Sequence, residues 1–233
     1  MRIGILQAGH APDPLQPEYG DFDDMFARLL DGHGFEFTAY DVEHMAFPDG
    51  PEACDGWLIT GSRHGVYEDH PFIPPLEDFI RACVAADRPV AGICFGHQIV
   101  AQALGGRVEK FAGGWAIGRQ DYETAGGPLV LNAWHQDQVV ERPEGAEVLG
   151  GNAFCENAIL GYGRRAWTIQ PHPEFGEPLI GAYVAQKRPE GTYPDALLDR
   201  AEAVAAEREG TDAARVARAI AAFLKDRETH AAL

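Results

Sequence analysis

The sequence predicts an α/β fold, an open and mostly parallel sheet flanked by helices, with further mixed or antiparallel strands. Three observations carry that prediction. In the first hundred residues, short apolar runs ending in glycine or proline turns are interleaved with segments of helical period. From Arg107 to Ile169 the signals change to short β-type runs such as Leu129-Val130-Leu131, Val139-Val140, Ala158-Ile159-Leu160 and Trp167-Thr168-Ile169, separated by glycine and proline. Two alanine-rich helical patterns then close the chain. With 233 residues, 45% hydrophobic and 24% charged, the chain can bury a sizeable core. One domain over residues 1–233 is expected, with a C-terminal helical segment at about 194–230.

The elements follow in order. Arg2 to Ala8 is an apolar run closed by Gly9, and a helix is expected through Phe22, Met25, Phe26, Leu29 and Leu30, with Asp21 as N-cap and Gly32 as stop. Strands are expected over Phe35 to Val42 and over Gly56 to Thr60. Pro74-Pro75 suits the first turn of a helix through Leu76, Phe79, Ile80, Cys83 and Val84, because a first-turn N–H has no helical acceptor to lose. Val90-Ala91-Gly92-Ile93 reads as a fully buried strand and Gly96 to Leu104 as a helix stopped by Gly105-Gly106. The closing helices are expected over Pro194 to Glu209 and over Asp212 to Leu224, the latter with Thr211 as N-cap.

The net charge of −17 repels phosphate backbones and anionic lipid, which argues against nucleic-acid or membrane-surface partners and for a small-molecule substrate or a protein partner. No apolar run approaches the ~20 residues of a spanning helix, and the start lacks a secretory h-region, so a cytoplasmic location is expected. Cys54, Cys83, Cys94 and Cys155 show no C-x-x-C spacing, which suggests neither a disulfide framework nor a zinc knuckle. Cys54 and Cys83 read as small core hydrophobes, whereas Cys155 falls in a loop and stays open.

Cys94 differs because of its flanks. In Gly92-Ile93-Cys94-Phe95-Gly96 a cysteine stands at a strand-to-helix junction, with glycines where side chains would collide with the neighbouring strand and helix. Such a turn thrusts its side chain out at the C-terminal sheet edge, where the positive end of the next helix favours a thiolate. The pentapeptide alone is also compatible with a buried structural cysteine.

Three separated segments extend the pattern. Gly92-Ile93-Cys94-Phe95-Gly96-His97-Gln98 with Leu104-Gly105-Gly106, then Gln170-Pro171-His172-Pro173-Glu174, and the turn Thr60-Gly61-Ser62 resemble, in order and spacing, the motifs of class I glutamine amidotransferases. The match runs over roughly residues 54 to 180. The resemblance implies the flavodoxin-like sheet of that fold and a triad of Cys94 as nucleophile, His172 as base and Glu174 as the group orienting the imidazole. It further implies an oxyanion hole from the backbone of Phe95 and of Gly61 or Ser62, and substrate contacts from Gln98, Trp134 and His135. Many relatives carry a second glycine in place of Ser62 and a small residue in place of Trp134, so a reshaped pocket is expected.

No cofactor is expected. His97, His135 and His172 lack the spacing of metal ligands, and Ala112-Gly113-Gly114-Trp115 is not followed by the Lys-Ser or Lys-Thr of a phosphate loop. By the resemblance, the enzyme hydrolyses glutamine to glutamate and ammonia through a γ-glutamyl thioester, with a separate synthase chain as possible recipient. The alternative is hydrolysis of a γ-glutamyl peptide or conjugate by the same groups. A non-catalytic scaffold is the third reading, against which intact Cys94, His172 and Glu174 argue.

Overall fold

The computed structural model describes residues 1–207 and 209–227. Strands β1 (Arg2–Gln7), β2 (Glu36–Asp41), β3 (Gly56–Ile59) and β4 (Val90–Ile93) come first. They are followed by β5 (Arg107–Lys110), β6 (Ala116–Thr124), β7 (Gly127–His135), β8 (Asp137–Glu141), β9 (Glu147–Gly151), β10 (Ile159–Gly161) and β11 (Ala166–Ile169). The helices are α1 (Gln16–Tyr19), α2 (Phe22–Leu29), α3 (Ile73–Ala85), α4 (Phe95–Ala103), α5 (Glu177–Lys187), α6 (Asp195–Glu207) and α7 (Ala213–Asp226).

One sheet runs in the order β2-β1-β3-β4-β11-β10-β9-β6-β7, while β5 and β8 pair apart from it. From β2 to β11 every ladder is parallel, and from β11 to β7 every ladder is antiparallel. The expected α/β architecture with a mixed back half is what forms. In the inner strands of the parallel part, β1, β3, β4 and β11, the runs are mostly apolar and buried because both faces are covered, whereas the edge strand β2 is partly exposed. Ile3 and Ile5 of β1 and Ala91 and Ile93 of β4 pack with Phe26 of α2 and with Val216, Ile220, Phe223 and Leu224 of α7. Leu6, Ile59 and Val90 instead pack with Leu76, Ile80 and Cys83 of α3 and Phe95, Ile99 and Val100 of α4. A third cluster joins α2, α5 and α6 to the start of β6 through Phe22, Met25, Ile117, Leu179, Tyr183 and Leu198.

Several local expectations hold. Asp21 caps α2 in a capping box with Asp24, Cys54 and Cys83 are buried core residues, and the two closing helices form. The helix expected through Glu209 ends at Glu207, Arg208 lies outside the described residues, and so do residues 228–230 of the expected C-terminal segment.

Two features differ from expectation. The N-cap of α7 is Asp212, not Thr211, and its carboxylate makes no capping bond. It accepts instead from the Val130 N–H at 2.7 Å while the Asp212 N–H donates to the Val130 carbonyl at 2.8 Å, so pairing with β7 displaces the local cap. Helix α5 was not expected at all, because Gly181 and Gln186 break up its apolar pattern; Pro178 in its first turn is the one sequence signal for it. Among the described residues no helix is long and apolar enough to cross a membrane.

Candidate active site

Strand β4 lies between β3 and β11, so the segments leaving the C-terminal ends of these three strands converge. Cys94 is the junction of β4 and α4 and adopts φ +52° and ψ −103°, a region that L-residues rarely occupy. Such a conformation costs ~1–3 kcal/mol and persists only where its surroundings impose it. Here they do. A side chain at Gly92 would strike the Gly96 carbonyl and one at Gly96 would strike the Ile59 carbonyl. Backbone bonds from Cys94 N to the Ile169 carbonyl (2.9 Å) and from Gly96 N to the Thr60 carbonyl (3.1 Å) then lock the turn against both neighbouring strands. Cys94 is 5% exposed and lines a cavity of about 620 Å³.

The segment after β11 brings His172, whose Nδ1 lies 2.7 Å from Glu174 Oε1, and both side chains are buried. With Nδ1 engaged by the carboxylate, Nε2 is the ring nitrogen left to exchange a proton with Cys94. Burial alone would lower the His172 pKa, but the Glu174 charge, the Cys94 charge and the hydrogen bonds to both outweigh it and raise it to about 10. His172 N donates to the Asn132 carbonyl (2.8 Å), Asn132 Nδ2 donates to the Phe175 carbonyl (2.8 Å), and the Phe175 ring stacks on the imidazole at 4.1 Å. Asn132 and Phe175 were missed at the sequence level. Phe175 directly follows the His172-Pro173-Glu174 run, but nothing in sequence links Asn132, on β7, to it.

From the end of β3, Gly61 passes so close that an added Cβ would lie 3.1 Å from His172 Cε1 and 3.8 Å from Cys94 Cβ. A side chain there would crowd the imidazole by a few tenths of an ångström. Ser62 lies outside the left-handed region, so the serine fits the turn without strain. Phe95 heads α4, where a backbone N–H has no intrahelical acceptor. Ser62, Gln98, Trp134 and His135 line the cavity with Cys94 and His172, so the expected substrate-binding residues are brought together.

Gln98 is buried rather than presented on an open helix face, and its Nε2 donates to the Asp137 carbonyl (2.9 Å) and to Gln170 Oε1 (3.1 Å). His135 is kept neutral, its pKa lowered to about 3 by burial and then by the charge of His172. Trp134 forms the outer wall with Tyr183 (5.3 Å between rings) and Tyr193 (5.2 Å), and Tyr193 in turn meets Trp115 at 4.7 Å. Cys155 is buried in the same cluster as Cys94, and burial followed by the Cys94 charge pushes its thiol up to about 12, which keeps it protonated.

Among the described residues, two sets of histidines and carboxylates draw ligand atoms within 4.8 Å of one another, His10-Asp41-His44 and His64-Glu68-His70. His97, His135 and His172 belong to neither. A second depression, of about 560 Å³ along β9, holds none of the groups described above.

Residues 22–187 match the family model described as glutamine amidotransferase class-I. The chain belongs to that family. Among its relatives, gamma-glutamyl peptidase 4 of Arabidopsis thaliana is 30% identical over 178 residues, 70% of this chain and 71% of that one. The glutamine-hydrolysing GMP synthase of an Azoarcus species is 31% identical over 172 residues, 66% of this chain but 32% of the synthase. The crystal structure of a glutamine amidotransferase from Methylobacillus flagellatus superposes with a TM-score of 0.75 at 22% identity, covering 96% of this chain and 93% of the other, a likeness of fold. For this amidotransferase-family chain, the GMP synthase match thus concerns only part of a longer protein.

Proposed function

We propose that the chain is a cysteine hydrolase of γ-glutamyl amides, acting as one domain, and that its preferred leaving group is an amine larger than ammonia. Cys94 attacks the γ-carbonyl. His172 takes the thiol proton and returns it to the departing amine, and Glu174 holds the imidazole and stabilises its charged form. The N–H groups of Phe95 and of Gly61 or Ser62 receive the oxyanion, two such donors being worth several kcal/mol in the transition state. Water then releases glutamate from the thioester.

The observation that carries the choice of leaving group is the cavity. At about 620 Å³ it falls in the ~300–1,000 Å³ range of sites for drug-sized ligands and greatly exceeds what a glutamine side chain fills. Trp115, Trp134, Tyr183 and Tyr193 line it together with Cys94, Gln98 and His135, which leaves ring surface for a departing amine beside the glutamyl end. The similarity to a protein named for γ-glutamyl peptidase activity supports the same reading.

A second reading is glutamine hydrolysis with ammonia passed to a separate synthase chain, favoured by the match to one part of a GMP synthase. Incubating the pure chain with glutamine and with a panel of γ-glutamyl peptides and amines, beside a Cys94→Ala control, separates the two. Release of glutamate and intact amine from the larger substrates, with little ammonia from glutamine, is expected. Glutamine turnover that appears only on adding a synthase would favour the second reading, and equal turnover by Cys94→Ala would sink both.

A further inference from the structure

Two histidine pairs lie beside the Cys94 cavity, His10 with His44 and His64 with His70, and His10 and His64 line it. His10 leaves the end of β1, and its Nδ1 lies 2.6 Å from Asp21 Oδ2. Asp21 is itself held in place, accepting from Gln7 Nε2 (2.7 Å) and from the backbone N–H groups of Ala11 and Phe22 (each 2.8 Å). The other nitrogen, His10 Nε2, is buried without a hydrogen-bond partner, 3.4 Å from Asp41 Oδ1 and 3.7 Å from Glu43 Oε2. His44 Nδ1 lies 2.9 Å from the other oxygen of Asp41.

A carboxylate behind one imidazole nitrogen sets the tautomer and directs the other lone pair, the arrangement found behind histidine ligands of metals. With its proton toward Asp21, His10 aims that lone pair at two anionic oxygens. The repulsion is relieved by a second ring proton or by a metal cation standing between them. Imidazole and carboxylate together suit a first-row divalent ion.

We propose that His10, Asp41 and His44 bind a divalent transition-metal ion such as Zn²⁺, with Glu43 the nearest further oxygen. The neighbouring set differs: His64 Nε2 is already 2.8 Å from Glu43 Oε1 and His70 Nε2 is 2.9 Å from Glu68 Oε2, so neither offers a buried nitrogen without a partner as His10 Nε2 does. The ion would stand beside the cavity, since His10 also lines it.

The test uses the full chain carrying Cys94→Ala, so that the thiol offers no competing ligand, stripped with EDTA and titrated with Co²⁺ alone. One equivalent should bind with visible d–d absorption, and Zn²⁺ should displace it. His10→Ala and His44→Ala should each weaken binding at least ~10-fold, while His70→Ala should bind as the parent does. His44 is largely exposed, so its replacement leaves the fold intact, which circular dichroism checks. Failure of Co²⁺ to bind would overturn the assignment. So would binding that survives both His10→Ala and His44→Ala, or binding lost in His70→Ala instead. None of these readouts depends on hydrolysis, so the site stands or falls apart from the proposed function.

Discussion

The parallel and antiparallel halves of the sheet meet at one cavity but contribute differently to it. The parallel strands β3, β4 and β11 deliver Gly61, Cys94 and His172, each immobilised by backbone bonds, close glycine approaches or a buried carboxylate. The antiparallel end, β6 and β7 with α5 and the segment after it, supplies Trp115, Trp134, Tyr183 and Tyr193 as a wall of rings in contact. The difference suggests that bond cleavage belongs to the parallel corner and the choice of departing amine to the antiparallel wall. Changes at the corner should then lower turnover for every substrate, and changes at the wall should alter the ratio between substrates.

The largest effects are expected at the corner. Cys94→Ala and His172→Ala should each lower kcat by ~10⁴-fold or more for glutamine and for γ-glutamyl amines alike, as removal of one triad member does elsewhere. Unequal losses between the two substrate classes, read by steady-state kinetics, would break the division.

The pH dependence of stability follows from His172. Its pKa is raised in the folded protein from 6.5 to about 10, so the stabilisation is complete below the unfolded value and is lost as pH rises through about 10. Thermal melts should therefore show Tm falling from near neutrality up to about pH 10. The fall should be smaller in Glu174→Gln, which removes the charge that raises the imidazole. Identical alkaline limbs in the two proteins would contradict the pairing.

At the wall, Trp134→Ala should lower kcat/KM for bulky γ-glutamyl amines by up to about 10-fold, the size of a lost aromatic contact, and alter glutamine hydrolysis far less. The smallest effect is remote from both. Asp212→Ala breaks the tie between α7 and Val130 and should cost about 1–2 kcal/mol in denaturant unfolding with kinetics unchanged.

What could be read in advance follows from how local the cause is. The turn at Cys94 was legible because the clash that demands Gly92 and Gly96 arises within the strand-turn-helix unit and with its immediate neighbour. The cap at Asp21 was legible for the same reason. Thr211 was misread because a long-range pair, Asp212 with Val130, decides that terminus. Asn132 anchors the His172 segment from another strand, and the His10-Asp41-His44 group is assembled by the pairing of β1 with β2, a register that no window of sequence carries.

The central claim is a γ-glutamyl thioester on Cys94. Acid quenching during turnover of a γ-glutamyl amine, followed by intact-mass and peptide mapping, should show one γ-glutamyl group on the peptide that holds Cys94, absent in Cys94→Ala. Sustained glutamate release with no adduct at any time, and equal release by Cys94→Ala, would contradict it.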